Sequence, residues 1–268
     1  LALFPHLNVY DNIAFGLKMQ KFPRNEFRDR IYKMLEIMDM PPETFAKRRT
    51  KQLSGGQQQR VAMARALVTD PTVLLLDEPL GPLDLKIRQR MQVELKRIQR
   101  RIGTTFIYVT HDQGEALTMS DRIAVMNKGK VVQIGEAKEI YIKPKTKFVA
   151  GFIGETNFLE GVCKSCVCFE AKSLPSSIKV EAPKDFVEKQ SLLCIRPEKI
   201  FVGKNLKGIE NVFEGTIEEY TYLGSFVFLR IRLADDIVLR TQIQVSEDSL
   251  TDFEIGDKIQ VGWEKDNA

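Results

Sequence analysis

Two phrases in this sequence put reactive residue types where backbone geometry can use them. The first is Leu53-Ser54-Gly55-Gly56-Gln57. Ser54 with Gln57 at the third position after it is a capping box, which predicts a helix starting at Ser54. Gly55 and Gly56 strip side chains from the first turn. N–H groups are thereby left bare at the positive end of the helix dipole, a site for an anion. The second phrase is Thr72-Val73-Leu74-Leu75-Leu76-Asp77-Glu78-Pro79. Its apolar run, bounded by Pro71 and Pro79, predicts a strand buried on both faces. That strand delivers the adjacent carboxylates of Asp77 and Glu78 to its C-terminal end, where open α/β sheets bind ligands. A third candidate, His111, follows the β-branched and aromatic run at 104–110. If the two strands lie side by side in a parallel sheet, His111 emerges near Asp77 and Glu78.

The elements that must position these residues can be read along the chain. Asn8 can cap a short helix with apolar Val9, Ile13 and Phe15, closed by Gly16. His6, just after Pro5, reads as a surface turn. Asn25 can cap a helix in which Phe27, Ile31, Met34, Leu35 and Met38 keep helical spacing, with Pro41-Pro42 as the stop. Asp84 caps a long helix that turns Ile87, Met91, Leu95, Ile98 and Ile102 inward and ends at Gly103. Its other face carries Lys86, Arg88, Arg90, Lys96, Arg97, Arg100 and Arg101. No aromatic residues interleave for base stacking, so this reads as a solvated basic face. Residues 122–126 and 130–134 predict a hairpin around Asn127-Lys128-Gly129, and a short helix through Ile140-Tyr141 follows. Beyond Phe152 the pattern changes to short alternating strands. Val227, Leu229, Ile231 and Leu233 alternate with Phe228, Arg230 and Arg232, and Asp235-Asp236 offers a turn. This predicts a small antiparallel barrel of the oligonucleotide/oligosaccharide-binding type.

The totals set limits. The chain has 268 residues, 43% hydrophobic and 28% charged, with 40 basic against 36 acidic residues and a net charge of +4. That suits one or two globular domains and does not point to nucleic acid. No apolar run approaches the ~18–20 residues of a membrane span. The sequence contains no Gly-x-x-x-x-Gly-Lys-Ser/Thr phosphate loop and opens at Leu1 inside an apolar phrase. It therefore reads as a fragment beginning downstream of such a loop, clipped also near Ala268, and inactive toward ATP by itself. Cys163, Cys166, Cys168 and Cys194 lack a standard zinc spacing, with Cys166 and Cys168 on one face of a predicted strand; reduced thiols are the default reading.

Taken together, Ser54-Gly55-Gly56-Gln57, Asp77-Glu78, Leu83-Asp84 and Thr110-His111-Asp112-Gln113 with Glu115-Ala116 resemble the signature, Walker B, D-loop and H-loop motifs of ATP-binding-cassette (ABC) transporter ATPases. Pro82 stands where that family has a small residue, and Gly114 replaces a commoner Glu. Leu3-Phe4-Pro5-His6 is similar to the phrase that follows the Q-loop in importers. Arg196-Pro197-Glu198 and the barrel resemble the C-terminal TOBE domain. The resemblance implies an α/β fold: residues 1–151 as the C-terminal part of a P-loop NTPase domain, with a helical subdomain at about 1–70, and residues 152–268 as a TOBE domain.

It also implies ATP and Mg²⁺ as cofactors. Asp77 would hold Mg²⁺ through water, Glu78 would serve as general base or polarise the attacking water, and His111 would contact the γ-phosphate. Leu53, Ser54, Gly55, Gly56 and Gln57 would bind the nucleotide of a twin subunit, and Asp84 would connect the two sites. The implied partners are a second copy in a head-to-tail homodimer, transmembrane permease subunits that dock on the Met-bearing helical subdomain, and, indirectly, a periplasmic or extracellular solute-binding protein. The implied location is peripheral, on the cytoplasmic side of the inner membrane. Residues 118–126 and 222–225 look most like the polyamine-importing branch, and sulfate, iron(III) and sugar importers share most of them. Two rivals stand beside this reading. One is an ABC ATPase of DNA repair or translation, which would carry a coiled-coil insertion or second cassette; the other is an inert module whose barrel binds a ligand.

Overall fold

The computed structural model describes residues 3–81, 84–174, 176–234, 236–245 and 253–267. Pro82 and Leu83 of the D-loop phrase and Asp235 of the predicted turn lie outside the described residues. The chain forms two compact units, Leu1–Ile123 and Ala124–Ala268.

The first unit contains, in order, α1 (Val9–Met19), α2 (Phe27–Ile37), α3 (Pro42–Phe45), α4 (Gly55–Leu67), β1 (Val73–Asp77), α5 (Leu85–Ile102), β2 (Thr105–Val109) and α6 (Gln113–Met119). One core joins Ile13, Leu35, Met63, Leu67, Leu76 and Leu95 from these elements. Asn8 caps α1 by accepting from the Asp11 N–H at 2.7 Å. The helix runs past Gly16, which does not close it. A Cβ on Gly16 would come within 3.0 Å of the Arg65 carbonyl, so this glycine lets α1 approach α4. Phe15 is exposed rather than turned inward.

Asn25 does not cap α2. It lies in a 3₁₀ turn, Arg24–Glu26, that carries the chain from Pro23 straight into the helix. Nor do the prolines end α2. The chain leaves the helix at Met38 and Asp39, whose φ is 52°, and Pro42 opens α3. Met34 and Met38 are buried core residues.

The strands β1 and β2 pair in parallel, with Asp77 opposite Val109. The apolar run predicts burial on both faces of β1, but only one face is covered. Leu74 and Leu76 are buried, whereas Val73 and Leu75 on the other face are 43% and 72% exposed. Among the described residues no packed layer covers the face that carries Val73, Leu75, Ile107 and Val109, and β1 pairs with β2 alone.

Helix α5 is capped by Asp84 and ends at Gly103 with φ 75°. Met91, Leu95 and Ile98 are buried, but Ile87, one turn from the start, is exposed. The basic face is not wholly solvated. Arg97 and Arg101 converge on Asp39, and Arg88 reaches Asp112 at 3.1 Å.

In the second unit, β3 (Ile123–Asn127) and β4 (Lys130–Gly135) form the hairpin, with Lys128 and Gly129 both at positive φ. Short helices α7 (Ala137–Ile142) and α8 (Lys147–Phe152) follow. Then come β5 (Asn157–Ser165), β6 (Cys168–Ala171), β7 (Ile178–Lys179), β8 (Gln190–Ile195), β9 (Phe201–Gly203), β10 (Asn211–Tyr222), β11 (Phe226–Ala234), β12 (Ile237–Gln244) and β13 (Lys258–Trp263). They make two antiparallel sheets, ordered β7-β6-β5-β8 and β12-β11-β10-β13-β9, around a single apolar core. Alternation does its expected work here: Val227, Leu229 and Ile231 point into that core. Cys166 departs from expectation. It sits in the turn between β5 and β6, so it shares no strand face with Cys168.

Arg196 binds α7, α8 and the following turn to the strands. It is 7% exposed and donates to the carbonyls of Tyr141 at 2.8 Å, Ala150 at 2.9 Å and Glu155 at 3.0 Å. It also donates to the Thr156 hydroxyl and lies over the Tyr141 ring.

Candidate functional site

The tip of α4 is built as its sequence requires. Ser54 Oγ accepts from the Gln57 N–H at 3.4 Å, and Gln57 Oε1 accepts from the Ser54 N–H at 3.0 Å. Reciprocal bonding fixes the first turn without covering it. Ser54 and Gly55 are exposed, and a Cβ on Gly55 would meet nothing within 4 Å. The N–H groups of Gly55 and Gly56 have no carbonyl one turn earlier in the helix, so this end can accept an anion.

At the end of β1 the chain turns sharply. Glu78 adopts φ 42°, a conformation unfavourable for any residue with a Cβ. Two backbone hydrogen bonds hold it there, and a side chain anchors the next residue. Its N–H donates to the Val109 carbonyl at 2.9 Å, and its carbonyl accepts from the Gly81 N–H at 3.2 Å. The neighbouring Pro79 carbonyl accepts from the buried Gln59 Nε2 at 2.7 Å. Gln59 belongs to α4, so one side chain ties the acid-bearing loop to the helix with the bare tip. Sequence reasoning passed over Gln59; its signal was an amide on the face that also carries apolar Met63 and Leu67.

The parallel register then decides the rest. His111 Nδ1 stands 3.1 Å from Glu78 Oε1, with both side chains exposed. A carboxylate only accepts, so at this contact Nδ1 is the donor, and Nε2 is left for another ligand. Asp77 is also exposed. Oxygen donors of this kind suit a hard divalent cation that keeps several waters. Asp84 accepts from the Ile87 N–H at 3.0 Å and so caps α5. The structure thus joins Glu78 to His111 directly and links the Glu78 loop to α4 through Gln59. Among the described residues no hydrogen bond or ion pair joins the side chains of Asp77 or Asp84 to either of that pair.

Behind His111 lies Glu115, which the H-loop phrase includes without a role of its own. Glu115 is 3% exposed and accepts from the Tyr108 hydroxyl at 2.7 Å and the Thr110 hydroxyl at 2.8 Å. Burial, and then the bond to Glu115, push the Tyr108 phenol well above its ordinary value. Tyr108 and Thr110 share one face of the β2 segment by alternation, which brings both hydroxyls to Glu115.

Comparison with known proteins assigns the class. Residues 1–81 match the ABC transporter family, and residues 193–268 match the TOBE domain. The spermidine/putrescine import ATP-binding protein PotA of Thermobifida fusca is 47% identical over 272 residues, which takes in 100% of this chain and 70% of that protein. Its counterpart from Mesorhizobium japonicum is 45% identical over 268 residues, covering 97% of this chain and 71% of that one. The chain belongs to the family of ABC-transporter ATP-binding proteins that carry a C-terminal TOBE domain. Among solved structures, CbiO1 of Clostridium perfringens, described as part of the ABC transporter complex CbiONQ, is 36% identical. It covers 52% of this chain and 54% of that one, with a TM-score of 0.47. No described helix is long and apolar enough to cross a membrane.

Proposed function

We propose that this chain is the ATP-hydrolysing part of a polyamine importer, coupling nucleotide binding in a head-to-tail homodimer to spermidine or putrescine uptake through membrane-spanning permease subunits. The observation that carries the chemistry is the Glu78–His111 pair, 3.1 Å apart at the ends of two paired strands. The polyamine assignment is supported by relatives named for spermidine/putrescine import.

In this reading Glu78 orients and deprotonates the attacking water, and its bond to His111 keeps the acceptor oxygens where they are needed. With Nδ1 donating to Glu78, His111 contacts the γ-phosphate through an Nε2–H donor, a role that needs both ring nitrogens protonated, and so offsets charge that develops there. The exposed carboxylate of Asp77 suits Mg²⁺ and would hold it through water. The bound ion would supply charge neutralisation across the phosphates. Leu53, Ser54, Gly55, Gly56 and Gln57 present the α4 tip to the nucleotide of the twin subunit, and Asp84 stands at the contact between the two sites. The chain works peripherally at the cytoplasmic side of the membrane. We place the domain boundary at 151/152, with residues 1–151 in the nucleotide-binding domain and 152–268 in the TOBE domain.

The test uses a chain that includes a phosphate-binding loop upstream of Leu1. Glu78→Gln should reduce ATP turnover by roughly a thousandfold or more and leave ATP-bound dimers detectable by light scattering. Turnover at the parent rate would overturn the role given to Glu78. Uptake of labelled spermidine, set against sugar, sulfate and iron(III), tests the solute in cells that depend on this chain.

A further inference from the structure

The mechanism above uses His111 and leaves the buried carboxylate behind it without a task. Glu115 lies on α6, four residues after His111, and its carboxylate is almost wholly enclosed. One oxygen accepts from both the Tyr108 and Thr110 hydroxyls, at 2.7 and 2.8 Å. The other faces Arg88 Nε at 3.9 Å. Asp112, on the far side of His111, is held by three bonds. Its N–H donates to Thr110 Oγ1 at 2.9 Å, its Oδ1 accepts from the Glu115 N–H at 3.0 Å, and its Oδ2 accepts from Arg88 Nη1 at 3.1 Å. The residues on both sides of His111 are therefore clamped by one polar cluster, while the imidazole itself is exposed and bonded to Glu78.

A buried charge with this many partners is costly to assemble, and its net contribution to stability is modest. Placement of a reacting group is where such a cluster has most effect, since a shift of about 1 Å can cost roughly a hundredfold in rate. Arg88 adds a second consequence. It lies one turn after Asp84, the cap of α5, so the clamp connects the start of that helix to the loop that carries His111.

We propose that Glu115 is a positioning residue for His111, and that the Arg88 bridge from α5 to Asp112 and Glu115 transmits the placement of Asp84 to the imidazole. The inference deepens the proposed function, resting on His111 as a phosphate-contacting group.

The test has one arm that needs no ATP. This chain contains two histidines, His6 and His111, so His6 is an internal reference for imidazole NMR. Glu115→Gln keeps the side-chain shape and one acceptor oxygen. It should move the His111 ring signals and broaden them while leaving those of His6 in place, and Arg88→Gln should do the same. Unmoved His111 signals in both folded variants would overturn the inference. In the chain extended through a phosphate loop, Glu115→Gln should lower kcat by roughly tenfold to a hundredfold with KM for ATP within about twofold. Arg88→Lys, which preserves a charge toward Asp112, should recover part of that loss, and an equal fall in kcat for Lys and Gln would count against the bridge. A parent rate in His111→Ala would instead overturn the catalytic reading of His111. Moved His111 signals in Glu115→Gln would then still support the positioning geometry.

Discussion

The two units solve one problem, fixing a loop next to a sheet, in different ways. In the second unit the joint is closed. Buried Arg196 saturates the carbonyls of Tyr141, Ala150 and Glu155, and the strands turn Val227, Leu229 and Ile231 into a complete core. In the first unit the sheet edge is open. Glu78 is held at φ 42°, its carboxylate and His111 stay in solvent, and Leu75 and Ile107 are uncovered. Buried polar contacts from Gln59 and Glu115 act from behind the reactive groups, not on them. The difference teaches that exposed side chains such as Glu78 and His111 can keep their placement because the backbone beneath them is tied down by buried neighbours.

Four substitutions probe this contrast. The largest loss should come from Arg196→Gln, which leaves several buried carbonyls short of a donor. We expect the second unit to lose about 3 kcal/mol in denaturant titration, and a change below about 1 kcal/mol would mean the joint is not closed as described. Gly16→Val should cost the first unit about 2 kcal/mol, because the new side chain must push α1 away from the Arg65 carbonyl.

Glu78→Gly should act in the opposite direction. Removing the Cβ relieves the left-handed conformation and should stabilise the first unit by about 1 kcal/mol, while ending hydrolysis in a chain that has its phosphate loop. A destabilised Glu78→Gly would show that the site stores no strain.

The smallest effect belongs to Tyr141→Phe. Burial, and then the bond to Glu198, push the Tyr141 phenol up to about 12. A phenol that ionises later in the folded state than in the unfolded one contributes stability that is fully present below about pH 10. That contribution is lost as pH rises toward 12. Urea midpoints should therefore favour the parent chain by about 0.5 kcal/mol at pH 9, with the gap narrowing above pH 10.

Much of the barrel and of the site was legible from residue order, though not the strength of each joint. The Ser54–Gln57 box, the Asn127–Gly129 hairpin, the Asp84 cap and the β11 alternation all rest on contacts a few residues apart, where side-chain type and period decide geometry. Helix ends were harder: Asn25, Gly16 and Pro41 carry strong local signals that the packing of α1 and α2 overrode. The uncovered face of β1 could not be read from an apolar run, since such a run records what a strand can bury and not what stands over it.

Sequence by itself determined which residues could bind an anion, hold a cation or move a proton, because those capacities belong to side-chain type and local backbone. Tertiary structure decided which of them meet. The pairing of Glu78 with His111, the reach of Gln59 to Pro79, the Arg88–Asp112 bridge and the Arg196 joint span 20 to 55 residues of chain. Such contacts depend on strand register and helix packing, which no short stretch of sequence encodes alone.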